Sequence, residues 1–272
     1  MCPETLCFLH HCLNDQHVKV PGKGQTISGE TYQTLRAGIL AGEIPPGAKV
    51  RTQEYCQRFG VSLGAVREAL SQLMAEGLVF AEAHRGYTAA PISIEDLKDL
   101  TRVRMEIETL CLTWSMEAGQ VEWESEVIGA THRLTRTYRV DGRSAGPSAP
   151  WIAAHDAYHA ALVSACGSPR LLQIRKQLYD KSERYRKMES ALPRERDADD
   201  EHKRLADAVI GRNVALATKL MKSHIALTTD NIVKAMEKRV SKAPRAAAAL
   251  ATPRRGRSPP ARPAPRAATN RR

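Results

Sequence analysis

Two histidines lie four residues apart in the stretch 151–172, WIAAHDAYHAALVSACGSPRLL. If this stretch is helical, His155 and His159 share one face, with β-carbons about 6 Å apart. Two imidazoles at this spacing can share a metal ion or pass a proton, and they can equally be core residues without a chemical role. Asp156 lies between them, and an apolar run follows. The choice depends on the elements that position the pair.

The basic charge of the chain is concentrated at its C-terminal end. The chain has 272 residues and a net charge of +11, and residues 240–272 contain nine Lys and Arg with no Asp or Glu, so subtracting nine leaves +2 for the rest. This Pro- and Ala-rich tail has no hydrophobic period and is predicted to be disordered. It can attract phosphates without reading sequence, so the overall charge is weak support for nucleic-acid binding.

Residues 1–26 are predicted to be a disordered extension. They lack the basic lead and sustained apolar core of a signal peptide, and no apolar run in the chain approaches the ~20 residues that cross a bilayer. The segment CFLHHC, 7–12, resembles half of a zinc site, but no second pair follows at zinc-finger spacing. The six scattered cysteines are typical of reduced thiols. These features favour a cytoplasmic protein without a membrane partner.

Residues 27–90 have the pattern of three short helices followed by a hairpin. A first helical pattern ends at PPGAKV, 45–50, and a second, TQEYCQRFG, begins with Thr52 as a predicted N-cap. Ser62 is predicted to cap a third helix, which Gly77 terminates. Strand-like segments then flank a hairpin tip at Arg85 and Gly86. This order predicts a winged helix-turn-helix.

The same residues carry a family resemblance. The segments AGEIPPGAKV, FGVSLGAVREALSQLMAEGLV and HRGYTAAPI closely resemble the DNA-binding domain of the GntR family of bacterial transcription regulators. The resemblance implies that the third helix enters the major groove of double-stranded DNA while the wing lies over the minor groove. On this basis the predicted DNA contacts are Arg51, Ser62, Leu63, Gly64, Arg67, Arg85 and Gly86.

Physical arguments support the main contacts. A helix N-terminus with a small cap favours a phosphate, and Arg67, one turn into the helix, is long enough to reach a phosphate or a base edge. The alternative is that Arg67 or Arg51 forms a surface ion pair, with Glu54 or Glu68 as the partner of Arg67. Many relatives have Arg directly after the Ser, whereas Leu63 cannot donate to guanine, so the operator should differ from the usual family site.

Residues 91–239 are predicted to form a bundle of six or seven helices. Ser93 is the predicted cap of the first helix, and the predicted apolar repeat of that helix is Leu97, Leu100, Val103, Ile107 and Leu110. The closing helices are predicted over 199–211 and 214–238. The fold class is therefore mainly α, with an N-terminal winged helix-turn-helix and a C-terminal all-helical bundle. The bundle resembles the FCD effector domain of the FadR-type branch of the GntR family.

The FCD resemblance implies a metal site. The family commonly holds a divalent metal with one carboxylate-type ligand and three histidines. The matching positions here are His155, His159, His202 and His224, with His155 where an Asp is usual. One residue step rotates a side chain by about 100°, so Asp156 is predicted to point away. Imidazole suits zinc or nickel. A metal-free pocket that binds the effector directly remains the alternative.

The resemblance also implies a small carboxylate or hydroxy-acid effector. Arg104, which matches an arginine of the first FCD helix, could pair with a carboxylate of ligand or protein, and Arg184 is a second candidate; either could instead be a surface charge.

The leading hypothesis is a homodimeric regulator, usually a repressor in this family, that releases a palindromic operator when the effector binds. The alternatives are a metal-dependent hydrolase built on the histidines, with Asp156 or Glu201 as base, and an architectural DNA binder driven by the basic tail.

Overall fold

The computed structural model describes residues 26–82, 86–138, 147–188 and 198–249. Within these ranges the helices and strands, in chain order, are α1 Ile27–Ala41, β1 Lys49–Val50, α2 Thr52–Phe59, α3 Leu63–Ala75, β2 Val79–Glu82, β3 Gly86–Ala89, α4 Ile94–Ala118, α5 Val121–Arg136, α6 Ala149–Ala161, α7 Pro169–Met188, α8 Ala198–Ile210 and α9 Val214–Ala249. Arg85, residues 1–25 and residues 250–272 lie outside the described residues, so the predictions made for them stay predictions.

The N-terminal domain is a winged helix-turn-helix, as predicted. Helices α1, α2 and α3 pack around a core that includes Leu35, Ile39, Leu70 and Leu73. The wing is an antiparallel sheet in the order β1-β3-β2. The short strand β1 was not predicted, because two residues are too few to give an alternating pattern. Gly86 has φ +88°, a left-handed conformation that glycine adopts without a steric penalty.

Six helices, α4 to α9, form the described part of the C-terminal domain. Their main core includes Leu112, Leu134, Tyr158, Leu205 and Met221. The prediction of an all-helical bundle is confirmed, and no described helix is long and apolar enough to span a membrane.

The predicted apolar stripe of α4 was partly wrong. Val103 and Leu110 are 41% and 39% exposed, whereas Arg104 and Glu108 are buried on the face that meets α7 and α9. At this level of the helix charged side chains face the bundle and two apolar ones face outward, whereas Leu97 and Leu100 are buried as predicted. Periodicity alone misassigned the face because it does not show that Arg104 and Glu108 pair with each other, or that Glu108 also pairs with Arg175 of α7.

Two helix ends also differ from the prediction. The N-cap of α2 is Arg51 rather than Thr52, and no side chain caps this end. Helix α9 runs to Ala249, into the range predicted as tail. The added residues are rich in Ala, the residue with the highest helix propensity. Ser62 and Ser93 cap α3 and α4 as predicted.

Candidate metal centre and nucleic-acid interface

The recognition helix α3 begins at an ordered cap and presents exposed side chains. Ser62 Oγ accepts a hydrogen bond from Ala65 N at 3.2 Å, which satisfies one of the unpaired N–H groups of the first turn. Leu63 is 39% exposed, and Gly64 and Arg67 are exposed as well. Among the described residues Arg67 forms no ion pair, so the predicted alternative of a bond to Glu54 or Glu68 is not observed. Its guanidinium is available to a ligand.

Arg67 shares a surface pocket with Arg51 and Gly86, which brings three of the predicted DNA contacts together. Arg51 Nη1 donates to Glu54 Oε1 at 2.8 Å, and both side chains are largely exposed. A surface pair of this kind contributes about 0–1 kcal/mol, so a phosphate can replace the glutamate. Lys49 and Tyr87 also line the pocket and were missed, although Lys49 lies two residues before Arg51, which places both on one side of an extended segment.

The four predicted metal-binding histidines lie together in the core of the bundle. Their exposed fractions are 6% for His155, 0% for His159, 1% for His202 and 9% for His224. Each histidine contributes one ring nitrogen to a group of four nitrogens that all lie within 4.8 Å of one another. Helix α6 supplies the first two, α8 the third and α9 the fourth. Three helices separated along the chain therefore converge on one point.

Local sequence positions the first pair. Ser148 caps α6 and Pro150 follows in the first turn, a position where proline is favoured because its missing N–H is not needed. His155 Nε2 and His159 Nε2 are 3.2 Å apart, as expected for residues one turn apart. The ring of Trp151 stacks on His155, with the centroids 4.8 Å apart.

Polar groups also contact the other two histidines, at the ring of His224 and at the backbone of His202. Glu201 Oε2 is 3.1 Å from His224 Nδ1. The Tyr158 hydroxyl donates to the backbone oxygen of His202 at 2.8 Å. Metal-binding histidines commonly have a carboxylate, as Glu201 is here, on the nitrogen that does not bind the metal.

The cluster keeps two of its histidines neutral. Burial lowers the pKa of His155 and of His159 well below the ordinary value; the charges of Arg186 on His155, and of His155 on His159, act in the same direction. Neutral imidazole is the form that binds a metal. Nitrogen ligands about 2.0–2.1 Å from one metal ion lie about 2.9–3.4 Å from their neighbours, so the 3.2 Å between Nε2 of His155 and Nε2 of His159 matches two ligands of one ion. His159 Nδ1 has no hydrogen-bond partner among the described residues.

A charged network lies beside the cluster. Glu108 is fully buried and accepts from Arg104 Nε at 3.3 Å and from Arg175 Nε at 2.9 Å. Arg104 Nη1 also donates to Ser182 Oγ at 2.8 Å, and both arginines lie over the ring of Tyr179. Arg104 therefore pairs with a protein carboxylate, one of the two partners predicted for it. Glu108, Arg175 and Tyr179 were missed, because nothing in their local sequence separates a buried charge from a surface one.

Arg184 does not join this network. It is buried where the two domains meet, and its Nη2 donates to the backbone oxygen of Ala90 at 2.6 Å. The same junction contains Arg36 of α1, whose Nη2 donates to Asp180 Oδ2 of α7 at 2.8 Å and whose Nε donates to Glu76 Oε2 at 2.8 Å. Charged residues of α7 thus link the bundle to the winged helix-turn-helix.

Comparison with known proteins identifies the same two domains. Residues 27–88 match the bacterial regulatory proteins of the gntR family, and residues 99–227 match the FCD domain. The chain is 33% identical over 210 residues to the HTH-type transcriptional repressor GlaR of Escherichia coli strain K12, covering 75% of this chain and 95% of GlaR. It is 36% identical over 200 residues to the HTH-type transcriptional regulator BphR of Paraburkholderia xenovorans strain LB400, covering 72% of this chain and 80% of BphR.

Solved structures share the fold. E. coli McbR/YncC superposes with a TM-score of 0.64 at 17% identity, covering 79% of this chain and 99% of that one. A putative GntR regulator from Rhodococcus sp. RHA1 superposes with a TM-score of 0.62 at 21% identity, covering 76% and 97%. The chain belongs to the GntR family of bacterial transcription regulators and carries a C-terminal FCD effector domain. It is a ligand-responsive DNA-binding transcription regulator.

Proposed function

We propose that this protein is a homodimeric repressor that leaves a palindromic operator when a small carboxylate or hydroxy acid binds next to a divalent metal held by His155, His159, His202 and His224. The observation that carries the proposal is the convergence of four buried histidines in the effector domain, with their ligand nitrogens within 4.8 Å. The two domain matches, which assign DNA and a small-molecule effector as ligands, support it.

DNA recognition is assigned to α3 and the wing. Arg67 reads a base edge or fixes a phosphate, Arg51 and Lys49 bind the backbone, and Ser62 with the N-terminus of α3 receives a further phosphate. Leu63 touches a thymine methyl rather than a guanine. The guanidinium of Arg67, which is exposed and forms no ion pair within the described part of the chain, supports this assignment.

The four histidines would hold zinc or nickel, both of which accept imidazole ligands. When bound, the ion would act as a Lewis acid, and a carboxylate oxygen could coordinate to it. The protein's own contribution is to keep His155 and His159 neutral, to exclude water from the cluster and to fix the nitrogens. Arg104, beside the cluster, would pair with the effector's carboxylate in place of Glu108. Arg184, the second predicted effector residue, lies at the domain junction, where it donates to the backbone oxygen of Ala90.

Helix α7 is the proposed route from the effector to the DNA. Tyr179 contacts the His155 ring, and the next residue, Asp180, bonds to Arg36 of the DNA-binding domain. A shift of α7 that accompanies effector binding therefore changes the position of α1, which packs directly on the recognition helix α3. The effector can shift α7 only if it binds more tightly to the protein with α7 in the shifted position than to the protein with α7 in its original position.

The exposed face of α4 supports a dimer. Val103, Leu110 and Trp114 are each about 40% exposed, and the half-buried Ile107 lies between them. These residues follow the heptad spacing of helices that pack on one another. A two-fold contact through this face would give the self-complementary interface that matches a palindromic operator.

The test is selection of bound DNA from a random pool, followed by anisotropy titrations of the selected duplex. A panel of short mono-, di- and hydroxycarboxylic acids is added to zinc-loaded and to chelated protein. The proposal expects a palindromic sequence and weakened binding with at least one acid, more strongly in zinc-loaded protein. An asymmetric site, or no response to any acid, would contradict it.

A further inference from the structure

Asp156 lies on the far side of His155 from the other histidines of the cluster. Its Oδ1 is 3.9 Å from His155 Nδ1, too far for a hydrogen bond. The Tyr179 hydroxyl lies between them, 2.7 Å from Asp156 Oδ1 and 3.3 Å from His155 Nδ1. Tyr179 is 3% exposed, so its hydroxyl is shielded from water, whereas the Asp156 side chain is 46% exposed.

The directions of these bonds follow from the groups that form them. An ionised carboxylate can only accept, so the Tyr179 hydroxyl donates to Asp156. The hydroxyl oxygen then has only lone pairs to offer to His155, so Nδ1 of His155 must carry the proton. A neutral imidazole has one proton, which leaves Nε2 with its lone pair, and Nε2 is the atom 3.2 Å from His159 Nε2.

We propose that Asp156 and Tyr179 act together as positioning residues that fix the tautomer of His155, so that its Nε2 faces the cluster as a metal-binding atom. The inference rests on the metal site of the proposed function. It gives a role to Asp156, which is not among the four clustered ligands. The Asp156 carboxylate does not contact the histidine ring itself. It holds the Tyr179 hydroxyl of α7, and that hydroxyl contacts His155.

The arrangement has a matched control on the same helix. Tyr185 of α7 is also 3% exposed, and its hydroxyl donates to a carboxylate oxygen of Asp96. That pair lies at the domain junction, where Tyr185 also accepts from Ser93 N. Tyr185→Phe therefore removes the same type of bond from the same helix without touching the histidines.

The first experiment is a competition titration of zinc against a chromophoric chelator, with the full chain. Tyr179→Phe and Asp156→Ala should each weaken zinc binding about tenfold or more with unchanged stoichiometry, whereas Tyr185→Phe should leave it unchanged. Asp156 and Tyr179 act through the same series of hydrogen bonds. The double variant should therefore bind zinc no more weakly than the single variant that has the lower zinc affinity. Wild-type affinity in both single variants, or an equal loss in Tyr185→Phe, would overturn the inference.

The second experiment reads the tautomer directly by long-range proton–nitrogen NMR of the histidine rings. His155 should carry its proton on Nδ1 in metal-free and in zinc-loaded protein, and should become a mixture of tautomers in metal-free Tyr179→Phe. A protein that binds no zinc but shows this tautomer would refute the metal part of the proposed function and keep the role of Tyr179. A proton on Nε2 of His155 in the metal-free wild type would refute the inference itself.

Discussion

The DNA-binding surface and the histidine cluster differ in the surroundings of their functional side chains, which are exposed in the first and buried in the second. Arg67 and Leu63 are exposed on α3, where the surroundings place few demands on the side chain. His159 and His202 are almost fully buried, so their ring nitrogens depend on groups supplied by other helices. A substitution on the surface should therefore change recognition and leave stability unchanged, whereas one in the cluster should change stability and regulation and leave recognition largely intact.

The largest effect is expected for His159→Ala, which removes a ligand at the centre of the cluster. Loss of an ion present at about 1,000 times its dissociation constant costs about 4 kcal/mol, which lowers the melting temperature by roughly 10 °C. Differential scanning fluorimetry with and without zinc measures this. The exposed His132 of α5 provides the control, since His132→Ala should keep the full zinc-dependent shift. An unchanged shift in His159→Ala would contradict the metal assignment.

Arg67→Ala should weaken binding to the selected operator by about 1–3 kcal/mol, and should affect nonspecific DNA much less. The melting temperature should stay within a degree or so, because Arg67 has no described ion-pair partner to lose. Anisotropy titrations on operator and scrambled duplexes measure the difference. Arg133→Ala, an exposed arginine on α5, is the control; equal losses in the two variants would argue that charge alone drives binding.

Acid should destabilise the metal-free protein through the cluster. The pKa values of His155 and His159 are lowered in the folded state, whereas the unfolded values are about 6.5. The unfolded state therefore binds more protons below pH ~6.5, and stability is lost as the pH falls from there toward the folded pKa values. The slope is at most about 1.4 kcal/mol per pH unit for each histidine. Urea unfolding of His155→Gln should show a smaller slope, and that of His132→Ala the wild-type slope.

The smallest effect concerns the link between the two regions. Asp180→Asn weakens the contact with Arg36, so the effector-induced change in DNA affinity should fall by about fivefold, or about 1 kcal/mol, while zinc binding is unchanged. Lys176→Ala is the matched control, because Lys176 pairs with the same carboxylate from within α7 and does not reach the DNA-binding domain. If both variants respond like wild type, α7 does not couple the regions through this ion pair.

Sequence alone predicted the parts of the molecule that local rules determine. The caps at Ser62 and Ser93 and the turn of the wing follow from residue preferences within a few positions. The choice of histidines came from a family resemblance, and the structure brings all four together. Glu108, Tyr179 and the Arg36–Asp180 pair could not be predicted, since each acquires its role from a partner 23 to 144 residues away. Val103 was predicted to be buried, but it is exposed because the charged Arg104 and Glu108 occupy the buried face of α4.

Elemental analysis of untagged protein, combined with effector-dependent DNA binding of the same preparation, tests the central claim most directly. The account predicts about one divalent ion per chain in the wild type, close to none in His159→Ala, and a response to the effector that is lost together with the ion. Protein that contains no metal and still releases its operator with the effector would contradict the account, and would mean that the histidines bind the small molecule themselves.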